Sequence, residues 1–172
     1  VCSSDLLGTA SPHVVDIADG YATFAAGGLQ APPVYIKLIK TTAGDTLFEF
    51  KPKTVRAFDS EIADTVSYAL QQVVKGGTGF AAQKLGRPCA GKTGTTNDNK
   101  SALFAGYVPQ LAAAVMLTKD GKNGQPTTLS GTGGMSTVTG GSFPARIWTA
   151  FMKGALKGSP TEAFNPLPAG QP

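Results

Sequence analysis

The run GRPCAGKTGTT, residues 86–96, decides how the rest of the chain is read, because it admits two incompatible structures. Taken as G-x-x-x-x-G-K-T over residues 86–93, it matches a phosphate-cradling P-loop letter for letter. Taken from Lys92 onward, K-T-G-T-T is a short, threonine-rich strand carrying one lysine and one glycine. A P-loop needs an apolar strand before its first glycine and a helix opening at the Lys-Thr pair, so that helix N-terminal amides meet the phosphates. Upstream, VVKGGTG (73–79) reads instead as a helix running into a glycine cap, followed by a short polar link at 80–85. Downstream, the β-branched Thr93, Thr95 and Thr96 favour an extended strand, and Asn97-Asp98-Asn99 favours a turn. The context supports the strand, with a P-loop nucleotide-binding protein as the minor alternative.

Elements on either side follow from their periodicity. Ser11-Pro12 reads as the N-cap and first position of a helix in which Ile17, Tyr21, Phe24 and Ala25 share a face, until Gly27-Gly28 stops it. His13 is a solvent-exposed residue of that helix start. The alternating run at 34–40, a turn at Ala43-Gly44-Asp45 and a return at 46–50 predict a small peripheral hairpin, bracketed by Pro32-Pro33 and Pro52. A second helix is predicted from Asp59 or Ser60 to Gly76, with Ile62, Val66, Leu70, Val73 and Val74 on its apolar side. Glu61 and Asp64 in its first turns fit the positive end of the helix dipole better than a catalytic carboxylate pair. After the Lys92 strand, the apolar runs at 103–108 and 112–117, separated by Pro109-Gln110, predict two consecutive antiparallel strands. The stretch 119–134 is turn-rich. A last helix follows Ser142-Phe143-Pro144 and carries Ile147, Trp148, Phe151, Met152 and Leu156 on a side wide enough to cover a sheet. Residues 158–172, with Pro160, Pro166, Pro168 and Pro172, read as a disordered tail.

Composition is that of an ordinary globular domain: 172 residues, 41% hydrophobic and 15% charged, with a net charge of +4. Lys37, Lys40, Lys51 and Lys53 are scattered on a solvated face, and without a basic stripe interleaved with aromatics they do not argue for nucleic acid. No run approaches the 18 or so apolar residues of a membrane span. The first six residues, VCSSDL, are what the end of a widely used short-read sequencing adapter encodes in one frame, so the gene-derived sequence is expected to begin at Leu7. Cys89 is then the native thiol, expected to be a small buried residue with no histidine near it in sequence to make it a nucleophile.

Four stretches, taken together and in order, resemble the C-terminal part of the transpeptidase domain of class A, bifunctional penicillin-binding proteins. They are LGTASP (7–12) running on to ADGYATFAAGG (18–28), AGKTGTTND (90–98), FAGYVPQL (104–111) and GGSFPARIW (140–148). In this resemblance K-T-G-T is the third motif of the serine acyl-transfer enzymes that act on D-Ala-D-Ala peptides and β-lactams. The implied fold is α/β (α+β): part of a penicillin-binding-protein or serine β-lactamase-like fold, with the KTG strand and two following strands in an antiparallel sheet packed by helices. Residues 7–157 would form this partial domain. The implied site gives Lys92 the role of a fixed positive charge and gives the Thr95 N–H that of an oxyanion donor, a contribution of about 3 kcal/mol. Thr93, Gly94, Thr95 and Thr96 would bind substrate, the hydroxyls holding a terminal carboxylate and Gly94 leaving room for an extended peptide. The alternative for the same letters is a structural Gly/Thr-rich edge strand with a solvated lysine.

The resemblance also implies what this sequence lacks. The family's reaction uses a serine in Ser-x-x-Lys and a Ser-x-Asn, both earlier in the chain than KTG; no serine here has Lys three places on or Asn two places on. The chain is therefore expected to be a fragment without its nucleophile, inactive alone, from a parent that cross-links peptidoglycan stem peptides and is acylated by β-lactams. That parent would be anchored in the bacterial cytoplasmic membrane, work on its outer face and carry a glycosyltransferase domain upstream. Neither cofactor nor metal is implied. A serine β-lactamase or β-lactam sensor fragment is the nearer alternative, though it would not be expected to carry the LGTASP…YATFAAGG block. A fragment cut this way is expected to leave the strand at 111–117 as an open edge and to uncover Trp148, Phe151 and the second helix.

Overall fold

Residues 90–95 are a strand, β5, in the computed structural model of the chain, which describes residues 12–167. The adapter-like residues 1–6, the block LGTAS at 7–11 and the end of the tail at 168–172 lie outside the described residues. β5 (Ala90–Thr95), β6 (Ser101–Val108) and β7 (Leu111–Thr118) form an antiparallel sheet in the order β5-β6-β7. Its register is unbroken, from Ala90↔Tyr107 to Thr95↔Ala102 and from Ser101↔Thr118 to Val108↔Leu111. Pro109 and Gln110 make the tight link that a register of this kind requires. The turn between β5 and β6 passes through Asp98 at φ 58° and Asn99 at φ 53°, left-handed conformations that short polar side chains tolerate.

The sheet has a covered face on each side, and β6 shows which residue serves which. Phe104 and Val108 face helix α3 (Phe143–Ala155), where they join Trp148, Met152 and Leu156, all buried. Phe104 and Trp148 meet edge to face at 5.2 Å, and the indole N–H is shared between the carbonyls of Gly106 (3.2 Å) and Ala113 (3.1 Å), which ties the helix to two strands. Tyr107 points the other way, toward Tyr21 of helix α1 (Val14–Ala25) and Ser67 of helix α2 (Ser60–Lys75). A smaller cluster of Ala102, Leu129 and Val138 closes the end of the sheet near the turn.

Several sequence expectations shift in detail. Helix α1 starts at Val14, with the exposed His13 rather than Ser11 before it. In α2 the buried residues are Ala63, Ser67 and Val74, while Ile62 remains 52% exposed. Small residues at 63 and 67 let the helix approach the sheet closely, and Ser67 enters the interior because its hydroxyl bonds that of Tyr107 at 2.7 Å. In α3 the buried stripe is Ala145, Trp148, Thr149 and Met152; Ile147 and Phe151, expected on the apolar side, lie beside it and are exposed. Trp148 keeps full cover.

The predicted hairpin forms from β2 (Leu38–Lys40) and β3 (Thr46–Glu49), with every strand residue exposed. A second short ladder, β1 (Leu29–Gln30) with β4 (Val55–Arg56), closes its base and was not legible in the alternation. The segment read as a disordered tail has no helix or strand up to residue 167, yet it lies along the domain: Pro160 accepts from Arg87 (3.2 Å) and Gln110 (2.8 Å), Phe164 packs on Tyr107, and Asn165 donates to Asp64.

Candidate active site

β5 has β6 on one side and, among the described residues, no strand on the other. Which of its peptide groups face the free side follows from one hydrogen bond. Thr96 N–H donates to the Ser101 carbonyl at 3.1 Å, so 96/101 is a hydrogen-bonded pair, and by the antiparallel alternation so are 94/103, 92/105 and 90/107. The N–H and C=O of Thr93 and Thr95 therefore point away from β6. Lys92 is exposed, and its ammonium folds over this edge to donate to the Thr93 carbonyl at 2.8 Å. A cation, an outward N–H at Thr95 and two threonine hydroxyls thus share one strand edge. No helix opens at Lys92-Thr93, which removes the structural basis of the P-loop reading.

The hydroxyls are held by backbone from elsewhere. Thr95 Oγ1 accepts the Gly140 N–H at 3.2 Å, and its own proton is left available. Thr93 Oγ1 pairs with Thr78 Oγ1 at 2.6 Å. Thr96 is not gathered with them: its hydroxyl accepts from the Ser101 N–H at 2.8 Å and serves the β5–β6 turn. Gly94 is partly open and presents no side chain.

Three contributors were missed in the sequence. Thr78 lay in what reads as a cap, and Gly140 in what reads as a loop before a helix. A Cβ at Gly140 would stand 2.1 Å from the Leu103 carbonyl oxygen and 2.8 Å from the Gly94 nitrogen, so glycine is required for this loop to lie on the strand. Asn99 is the third, pinning that loop with its side chain by donating to the Val138 carbonyl and accepting the Val138 N–H at 3.2 Å. The GGSFP string singled out position 140, but nothing in it showed which strand the loop would meet. Cys89 is buried away from this edge, its thiol donating to the Ala82 carbonyl at 3.7 Å, and burial pushes its pKa up to about 11.

The profile of the family described as the penicillin binding protein transpeptidase domain matches residues 11–133. The chain belongs to this transpeptidase family. It is 34% identical over 166 residues to penicillin-binding protein 1A of Mycolicibacterium smegmatis, covering 92% of this chain and 20% of that protein. It is likewise 34% identical over 176 residues to penicillin-binding protein 1A of Neisseria lactamica, with 99% and 21% covered. The chain thus spans about a fifth of the length of these curated relatives. Among solved structures it superposes on PonA1 of Mycobacterium tuberculosis in complex with penicillin V with a TM-score of 0.79 at 32% identity, covering 95% of this chain and 43% of that one. Penicillin-binding protein 1A of Haemophilus influenzae gives 0.78 at 26% identity, with 97% and 30% covered. The fold is therefore part of the transpeptidase α/β fold of penicillin-binding proteins. Among the described residues no helix is long and apolar enough to cross a membrane.

Proposed function

We propose that this chain forms the KTG wall of a peptidoglycan D,D-transpeptidase site and that its serine nucleophile stands earlier in a longer polypeptide. The observation that carries the reading is the β5 edge, where the Lys92 ammonium, the outward Thr95 N–H and the Thr93 and Thr95 hydroxyls lie together on a strand of a transpeptidase-family sheet.

In this reading the serine oxygen attacks the carbonyl of the penultimate D-Ala of a stem peptide. The peptide C–N bond breaks, terminal D-Ala leaves with the proton on its nitrogen, and the acyl group remains on the serine. An amine of a neighbouring stem peptide then attacks the ester, and the serine recovers a proton as the cross-link forms. The Thr95 N–H donates to the carbonyl oxygen as it gains charge. Thr93 and Thr95 hold the terminal carboxylate, and Lys92 supplies the positive field that favours both anions. Gly94 gives the peptide room to run antiparallel to β5 as an added strand. A β-lactam carries a carboxylate and a strained carbonyl at comparable spacing, so it acylates the same serine. The penicillin V complex of a superposable relative supports this ligand class.

Residues 7–157 are the part of the domain present, without Ser-x-x-Lys, so the 172-residue chain alone is inactive. We infer further that the longer protein is anchored in the cytoplasmic membrane, faces the cell wall and carries a glycosyltransferase domain, as the resemblance to class A penicillin-binding proteins implies. The test is to express the full-length protein and give it a D-Ala-D-Ala pentapeptide with an amine acceptor. Release of D-Ala blocked by penicillin is expected; a full-length protein that neither releases D-Ala nor is acylated by penicillin overturns the reading.

A further inference from the structure

Thr78 lies outside the KTG motif, fifteen residues before Thr93, yet the two hydroxyl oxygens stand 2.6 Å apart. Its position is set from both sides. The N–H groups of Gly77 and Gly79 both donate to the Val73 carbonyl, at 3.1 and 3.0 Å, closing α2 and fixing the peptide planes around Thr78. On the other side Gly141 lies so close that a Cβ there would stand 2.2 Å from the Thr78 carbonyl oxygen and 3.8 Å from Thr93 Cγ2. The end of α2 and the glycine loop before α3 therefore deliver one hydroxyl to one point on β5.

A hydroxyl has a single proton and two acceptor lone pairs, so this pair uses one proton and leaves the other free. With Thr93 as donor, its proton would be spent on Thr78, the free proton would be that of Thr78, and an anion arriving at Thr93 Oγ1 would meet lone pairs. With Thr78 as donor, Thr93 keeps its proton for the anion, and the first bond polarises the second. An anion at Thr93 is compatible only with the second direction.

We propose that Thr78 is a positioning residue for carboxylate recognition: it donates to Thr93 Oγ1, fixes that hydroxyl's rotamer and reserves the Thr93 proton for the ligand's carboxylate. The inference rests on the reading of Thr93 given above.

The test uses the full-length protein and two probes, benzylpenicillin and its methyl ester, which differ in the carboxylate charge. Thr78→Val keeps the shape and removes the hydroxyl; Thr78→Ala is a second hydroxyl-free variant, Thr78→Ser restores the donor, and Thr93→Val is the reference. Loss of one neutral hydrogen bond predicts about a three- to tenfold fall in the second-order acylation rate constant for the carboxylate form. The fall is expected in apparent binding rather than in the limiting rate, with the ester unaffected and Thr78→Ser close to wild type. Equal losses on both probes in the two hydroxyl-free variants, or none, overturn the proposal. If Thr93→Val discriminates between the probes and the Thr78 variants do not, the Thr78 role alone fails. If Thr93→Val treats both probes alike, the reading of Thr93 fails, and this inference with it.

Discussion

Lys92 and Thr95 sit three residues apart on the same strand but are expected to fail in different ways. On the proposed reading, Lys92→Ala in the full-length protein removes the charge that favours the developing oxyanion, and a loss of about 2–4 kcal/mol in acylation is expected. Thr95→Ala keeps the backbone N–H and deletes only the hydroxyl, so it should chiefly weaken recognition of carboxylate-bearing ligands. Stopped-flow acylation with a chromogenic cephalosporin separates the two effects, and wild-type behaviour in both variants would show that the strand is structural only. Cys89 makes a prediction of the opposite kind. Burial raises its pKa to about 11, above the ordinary value of roughly 8.5, so the folded state holds the thiol proton more tightly than the unfolded state. Its stabilising contribution is complete below the unfolded value and is lost as pH rises through the folded one. Native Cys89 is expected to resist iodoacetamide at pH 8 while the urea-unfolded chain is alkylated; equal rates would contradict the buried placement.

At the scale of elements, the contact between α2 and β6 turns on the buried Ser67–Tyr107 hydroxyl pair. Ser67→Ala leaves the tyrosine hydroxyl without its partner in a region where burial already pushes the Tyr107 pKa up to about 12. The expected cost is about 1–3 kcal/mol in urea unfolding of the full-length protein. Adding Tyr107→Phe should return part of it, and additive losses in the double-mutant cycle would show that the pair is not coupled. This contact also marks where the sequence stops being legible. Helix and strand positions followed from period and caps, and the KTG run from its β-branched residues and the turn after it. The helical period alone, however, put Ile62 inside and left Ser67 out, because it ranks side chains by hydropathy and does not know that a tyrosine hydroxyl waits opposite. The same limit hid Thr78, Asn99 and Gly140, whose importance lies in backbone and hydroxyl partners from 15 to 45 residues away in the chain. Glycine and threonine in loops look alike until the surface they meet is known.

For the molecule as a whole, β7 has one strand neighbour among the described residues, and its row of Leu111, Ala113, Val115 and Leu117 is only partly buried. Such an edge pairs readily with other chains. The 172-residue chain is expected to associate as its concentration rises, which light scattering would register; a monodisperse monomer with cooperative thermal unfolding would contradict this. The same chain, lacking Ser-x-x-Lys, should retain no label from a fluorescent penicillin after denaturation. A labelled band that is lost on mutating a serine present here would overturn that expectation. The indole of Trp148 gives these experiments a built-in optical gauge. It is the only tryptophan in the sequence, wholly buried, and bonded through its N–H to both β6 and β7. Emission from the chain is therefore emission from the seam between sheet and helix: blue and shielded from acrylamide while α3 stays seated, red-shifted and quenchable once it lifts. Any partner strand that completes the sheet at β7 would be read out by that single fluorophore without a dye.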